Sequence, residues 1–391
     1  MHPQQAKATF SGLEHGYYKV AGLQEFAAGL YPLERMLLDL RHAPTADIDS
    51  LIALPWAGFM VDEADRVPPD RPWMRCETDQ DWTSPGDVLE LQPSASRAAL
   101  RYRRGDNGNV LFATEQCNSY CLMCSQPPRV IDDYWRLEQL HALIDLIDKD
   151  ERSLAVSGGE PMLLGDGLVE VIAHCQAALP QTHVHVLSNG RLAGEGGYAR
   201  RFTGLHESLT WGIPLYGDTP LLHDYIVQRQ GAFAQTLRGL YAMEQAKQRI
   251  EIRIVLVKDA VQRLESIARF IYRNLPFAEH VALMGVEPIG FAKAHHQSLW
   301  MDPIDMGPAL SDSVQFLSSR NIAVSIYNLP LCTLSRELWS FSRQSISHWK
   351  QNYRPECQPC QVRQRCGGFF SWVTPDWLSR GVAPINQLEP A

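Results

Sequence analysis

The sequence predicts an α/β chain. A partial (β/α)6, TIM-like barrel over residues 106–321 is flanked by an N-terminal accessory domain, 1–105, and a small cysteine-rich cluster domain, 322–391. Three observations predict it. The 391 residues suffice for about two or three domains. A strand–loop–helix rhythm occupies the middle of the chain, as parallel strands joined by right-handed crossovers require. Seven of the nine cysteines fall into two groups, one at the start of that rhythm and one beyond its end.

Composition narrows the function classes. Hydrophobic residues are 45% and charged residues 20%, ordinary for a soluble globular protein, which excludes a rod or a largely disordered chain. No apolar run is long enough to span a bilayer, and the first twenty residues interleave His, Gln, Lys and Glu instead of building an apolar signal core. Neither a membrane nor secretion is expected. The net charge of −8 supplies no positive field for a phosphate backbone, so nucleic acid is not an expected partner. Cysteines spaced two to five residues apart in such a chain read as reduced, cytoplasmic metal ligands rather than a disulfide framework.

The leader reads as an irregular, partly β domain. Residues 24–42 have helical spacing, six prolines punctuate the stretch from Pro55 to Pro93, and 86–91 alternates like an edge strand before a charged connector at 101–109. Strands are then expected at 110–114, 154–157, 183–187, 208–213, 250–257 and 281–286. Helices are expected along Leu137, Leu140, Ile144 and Ile147 and near 167–178, 231–247, 260–274 and 306–319. Functional residues of a parallel barrel belong just after strand C-termini. From about residue 322 the rhythm is lost.

Cys117, Cys121 and Cys124 form a C-x3-C-x2-C triplet directly after the first barrel strand. Three thiolates leave a four-site centre one ligand short, which suits a [4Fe–4S] cluster with one open iron, whereas a zinc knot would need a fourth ligand from elsewhere. At these residues the sequence resembles the radical S-adenosylmethionine (radical SAM) superfamily, with Met123 at its usual aromatic position. After the second strand, Gly158-Gly159-Glu160-Pro161 resembles the loop that binds the methionine amino group of SAM, where a carboxylate pairs with an ammonium. Ser188-Asn189-Gly190, after the third, resembles the strand end that contacts the SAM ribose. After the fourth, Tyr216-Gly217-Asp218, His223-Asp224 and Gly231-Ala232-Phe233 resemble a segment of peptide-modifying members, but Pro214 and Val227 replace its usual serine and arginine. Arg253 is left as the candidate for the methionine carboxylate. His223 reads more simply as a hydrogen-bonded histidine at a helix start than as a proton shuttle.

Cys332, Cys357, Cys360 and Cys366 complete either a tetrahedral zinc or an auxiliary [4Fe–4S] cluster, and spacing does not choose between them. Beside the triplet they resemble the SPASM and Twitch extensions, which implies the cluster. Cys175 reads as a core residue, and Cys76 has no assigned role.

The run Thr114-Glu115-Gln116-Cys117-Asn118-Ser119-Tyr120-Cys121-Leu122-Met123-Cys124-Ser125-Gln126-Pro127-Pro128, the long leader and the terminal cysteines resemble the C-type radical SAM maturase of the His-Xaa-Ser system, from about residue 85 onward. That resemblance implies two [4Fe–4S] clusters, reductive cleavage of SAM to a 5′-deoxyadenosyl radical, and a ribosomally made precursor peptide as substrate. The implied partners are a second radical SAM maturase, a small accessory protein and an external electron donor. The competing classes are a radical SAM enzyme acting on a nucleoside or other small molecule, a zinc-stapled binding protein without catalysis, and a scaffold active only with its partner. The bond that the modification makes is not legible.

Overall fold

The computed structural model describes residues 5–41, 48–77, 82–347 and 350–386. They form two compact units: Met1–Leu111, Trp135–Leu154 and His174–Thr182 make one, and Phe112–Tyr134, Ala155–Ala173 and His183–Ala391 the other. The cysteine-rich tail falls within the second unit. The three-part division at residues 105 and 321 remains a proposal about how the chain is organised.

The first unit holds a closed barrel of seven strands: β1 (Gln5–Ser11), β2 (Gly16–Ala21), β3 (Met36–Asp39), β4 (Gly58–Met60), β5 (Trp73–Cys76), β6 (Val88–Gln92) and β7 (Arg97–Tyr102), in the order β1-β5-β4-β3-β2-β6-β7. It closes because β1 pairs antiparallel with both β5 and β7. In β1 every second residue points inward, and the small Ala6 and Ala8 pack with Val20, Leu37, Met74, Leu89 and Leu91 in the core.

This differs from the leader expected from the sequence. The helix read at 24–42 is confined to Leu23–Ala28 and stops at Gly29 in the left-handed region, φ 62°; residue 42 lies outside the described residues. Pro32 then disfavours helix at Tyr31, and the consecutive buried Met36, Leu37 and Leu38 form β3. Segment 86–91 is no edge either, because β6 is paired on one side with β2 and on the other with β7. Closure removes edges from that sheet.

The second sheet has eight strands in sequence order: β8 (Val110–Phe112), β9 (Ser153–Ser157), β10 (His183–Leu187), β11 (Leu209–Pro214), β12 (Arg249–Val255), β13 (His280–Met284), β14 (Ala323–Tyr327) and β15 (Ser342–Arg343). The pairs from β10 through β15 are all parallel. All six expected strands are present, and β14 and β15 extend the sheet into the tail. Helices Asp166–Ala178, Ala232–Gln245, Leu264–Asn274 and Gly307–Ser318 fall where periodicity put them.

Parallel sheets are ordinarily covered on both faces. Here β10 and β12 alternate between fully buried aliphatics (Val184, Val186, Ile250, Ile252, Ile254) and half-exposed His183, His185, Glu251 and Arg253. One face is a conventional core and the other is polar and partly open. Among the described residues no helix is long and apolar enough to cross a membrane.

Candidate active site

The segment after β8 carries the three cysteines, and four other loops of the second unit fasten it. Buried Asp133 anchors its start, accepting from Thr114 Oγ1 at 2.8 Å and from the Glu115 amide at 2.6 Å. The loop after β9 is stitched to it by backbone bonds from Gly159 N to Thr114 O, 2.7 Å, and from Glu160 N to Gln116 O, 2.8 Å. Both glycines are sterically required there. A Cβ at Gly158, φ +147°, would lie 2.4 Å from Thr114 O, and one at Gly159 only 2.1 Å from Gln116 O. The close approach that the Gly-Gly pair permits is therefore to the cysteine loop's own backbone.

Tyr120 and Leu122 donate their amides to Val227 and Ile226 at the end of helix Pro220–Val227, and Phe291, beyond β13, donates its amide to Cys124 O at 2.9 Å. The loop after β10 supplies polar links. Asn189 Nδ2 donates to Asn118 Oδ1 at 2.6 Å, and Arg191 Nη1 to Asn118 O at 2.5 Å and Ser119 Oγ at 2.9 Å. Arg191 also donates through Nε to Gln235 Oε1 at 2.7 Å.

Glu160 is fully buried. Its Oε1 accepts from Ser188 Oγ at 2.7 Å and Met162 N at 2.9 Å, and its Oε2 from Asn189 N at 2.6 Å. Burial pushes its carboxyl up, against the pull of these donors and of Arg191. Cys117, Cys121, Cys124, Gly158, Gly159, Glu160, Ser188 and Asn189 thus lie on loops bonded to one another. Arg253 stands apart, its Nη1 on Glu251 Oε1 at 2.9 Å and its Nη2 on Met284 Sδ at 3.2 Å.

The three thiols lie within electrostatic reach of one another. Burial first, then Glu160 and Cys124, raises Cys117 to about 11; burial and the other two thiols raise Cys121; burial raises Cys124. Such a group gains most from a cation, which displaces the protons. Three soft donors on one loop fit an iron–sulfur cluster with an open iron. Among the described residues, no group of three His, Cys, Asp or Glu side chains is gathered closely enough to hold a metal ion as it stands.

In the tail, Cys332 is raised by burial and by Cys366 and Cys357, and Cys366 by burial and by Cys360 and Cys357. Leu331 N lies 3.3 Å from Cys366 Sγ and Ile385 N 3.5 Å from Cys360 Sγ, N–H donors of the kind that tune thiolate clusters. His223 is buried, accepts the Tyr216 amide on Nδ1 at 3.2 Å and is lowered by burial to about 4, the plainer of its two expected roles. Sequence reasoning missed Arg191 and Asp133. Arg191 directly follows the Ser188-Asn189-Gly190 turn, a signal that was available; Asp133, nine residues past the last cysteine, left none.

Residues 111–271 match the family described as the radical SAM superfamily. This stretch is a radical SAM domain. It takes in β8 through β12 with every loop stitched above except Gly290-Phe291. The superfamily implies a [4Fe–4S] cluster and SAM.

No curated protein sequence matches the chain. Among solved structures, Streptococcus suis SuiB bound to S-adenosylmethionine is 12% identical with a TM-score of 0.45, over 65% of this chain and 56% of that one. SuiB bound to its precursor peptide SuiA is 13% identical with a TM-score of 0.43, over 56% and 48%. The anSMEcpe structure with bound AdoMet and the Cp18Cys peptide is 16% identical with a TM-score of 0.43, over 55% and 62%. The chain spans about half the length of the SuiB structures it matches.

Proposed function

We propose that this chain is a radical SAM peptide maturase, acting on a ribosomally made precursor of the His-Xaa-Ser kind with a partner maturase and a small accessory protein. One observation carries the reading: the three-cysteine loop is bonded directly to the Gly-Gly-Glu and Ser-Asn loops, at the head of a sheet whose inner face is polar and partly open. Cys117, Cys121 and Cys124 would hold the SAM-cleaving cluster, and Cys332, Cys357, Cys360 and Cys366 an auxiliary one. The first cluster, when bound by Cys117, Cys121 and Cys124, would supply the electron for reductive cleavage of SAM.

The chain's own part is to bind and orient. Glu160 keeps one lone pair on Oε2 for the methionine ammonium. Ser188 and Asn189, already tied to Glu160, form the adjoining polar wall for the ribose. Arg191 fixes the cysteine loop. Arg253 offers a cation to a carboxylate in the open face of the sheet. A peptide needs an extended docking surface, for which this open face is the candidate, whereas a small metabolite would need only a pocket.

The test is anaerobic reconstitution followed by iron and sulfide analysis and assay of SAM cleavage with and without His-Xaa-Ser peptides and partners. About eight irons per chain are expected from two cubanes. Replacing Cys117, Cys121 and Cys124 by Ala should leave about four and reduce 5′-deoxyadenosine formation to background. Stoichiometric zinc without iron overturns the reading. Turnover of a nucleoside with every peptide left unmodified moves the chain to the small-molecule class.

A further inference from the structure

The polar face of the second sheet carries a hydrogen-bonded chain across three adjacent strands. Glu251 on β12 lies opposite His280 on β13 in the parallel register, and Ser325 lies two residues along β14 from His280's own partner, Ala323. His280 Nδ1 is 2.7 Å from Glu251 Oε2, and His280 Nε2 is 2.9 Å from Ser325 Oγ. A carboxylate only accepts, so a ring proton sits on Nδ1; in the neutral ring Nε2 is then bare and accepts the serine hydroxyl. Glu251 is ionised: burial would raise it, but the His280 hydrogen bond and the Arg253 charge outweigh burial and hold it at about 2.

This is the order hydroxyl, imidazole, carboxylate found where a base must take a proton and be held as a cation afterwards. None of these residues belongs to the loops that would bind the cluster or SAM. The face is open at His280 and Arg253, whose side chains are 23% and 24% exposed, with Ser325 buried directly behind His280. His185 on β10 points its Nε2 toward Glu251 from 3.7 Å, and that buried nitrogen has no hydrogen-bond partner. The other groups facing the chain are His183 on β10, hydrogen-bonded to Thr210 on β11, Arg253 on β12, and Tyr327 on β14, whose hydroxyl shares a hydrogen bond with Ser325. Lys350, paired with Glu287 at 3.8 Å, adds positive charge near Arg253.

We propose that Glu251, His280 and Ser325 form the proton acceptor for a peptide bound against this face, a role that rests on the peptide-maturase reading. An O–H or N–H of the peptide gives its proton to Ser325 Oγ as the serine's own proton passes to His280 Nε2. The imidazolium keeps Nδ1–H on Glu251, whose charge balances it. One proton moves from peptide to histidine, no electron is transferred, and no bond to carbon forms in this step.

The experiment uses the anaerobically reconstituted full chain with peptide, partners and SAM, and reads modified peptide per 5′-deoxyadenosine. In H280Q that ratio should fall by roughly a hundredfold, and in S325A by roughly tenfold, the range of one positioned general base. In the parent the ratio should rise with pH through one ionisation that H280Q lacks. Nitrogen-15 NMR of the protein without peptide should find His280 protonated at Nδ1, with that signal moved in E251Q. A parent-like ratio in H280Q, or an Nε2-protonated His280, overturns the proposal. A parent that cleaves SAM but modifies no peptide defeats the maturase reading instead, and the NMR tautomer then decides the proton acceptor by itself.

Discussion

Each unit carries charge on a β-structure, and the two do so in opposite ways. In the first, Lys19 is fully buried, and its Nζ donates to Asp148 Oδ1 at 2.7 Å, Leu146 O at 2.7 Å and Gly86 O at 3.1 Å, with the Tyr31 ring 4.4 Å away. Asp148 is also bonded by Arg104, which reaches Glu25 as well. Every proton of the ammonium is used. In the second, Glu251, Arg253, His280 and His185 remain partly exposed, and the buried Nε2 of His185 is unbonded. Lys19 has no proton left to offer a ligand, whereas the open face of the second sheet keeps an unpaired ring nitrogen on His185.

The strongest way to break this contrast is at Lys19. Lys19→Met removes a buried cation while Gly86 O and Leu146 O lose their donor, and should destabilise the first unit by about 3–5 kcal/mol, the cost of breaking a buried pair. Urea unfolding checks it. A loss below about 1 kcal/mol would mean that the network is no more than a surface-like ion pair.

Acid should find the second unit first. His185 and His223 are held neutral chiefly by burial, each lowered from 6.5 to about 4. The unfolded chain takes up these protons near pH 6.5 and the folded chain only near pH 4, so stability rises with pH across that window and is lost as pH falls through it. Each histidine contributes up to about 3 kcal/mol. Asp148 behaves differently: burial is outweighed by Arg104 and Lys19, so its carboxyl is held below 3.8, and its contribution persists until pH falls beneath that value. Urea midpoints of the second unit should therefore drop between pH 6.5 and 4, and His185→Phe should flatten the slope. A pH-independent midpoint across that window, with loss only below it, would erase the distinction between the units.

How much the sequence revealed follows the same division. The open sheet was legible because each strand ends at a motif or is followed by an amphipathic helix, such as Leu264–Asn274 with Leu264, Ile267, Ala268 and Ile271 turned inward. β14 and β15 were missed because no crossover helix separates Tyr327 from the cysteine-bearing tail. The closed barrel was missed because its strands are three to seven residues long and β1 carries the small Ala6 and Ala8 at inward positions where larger apolar residues would have signalled it. In the site, three cysteines on one loop read themselves. Arg191 could have been read from its place after the Ser188-Asn189-Gly190 turn, whereas the Glu251–His280–Ser325 chain could not, since only strand register brings such separated residues within a hydrogen bond.

Glu160 tests the contrast most finely, because it is as buried as Lys19 yet sits in the proposed SAM site. Three protein donors already satisfy it, so complete pairing by the rule above would make it structural. It differs from Lys19 in one respect: Oε2 has a single partner and keeps an acceptor position, whereas the ammonium has no proton to spare. A charge-assisted bond from the methionine ammonium at that position contributes roughly 1.5–3 kcal/mol, which is about one to two decades in affinity. Glu160→Ala should weaken SAM binding by that amount in protein whose iron content equals the parent's, measured by equilibrium dialysis under anaerobic conditions. If iron loading falls in step with affinity, Glu160 acts by holding the loops after β9 and β10 together. If affinity is unchanged at full loading, the ammonium is held elsewhere, and Glu160 joins Lys19 as a charge buried for the fold.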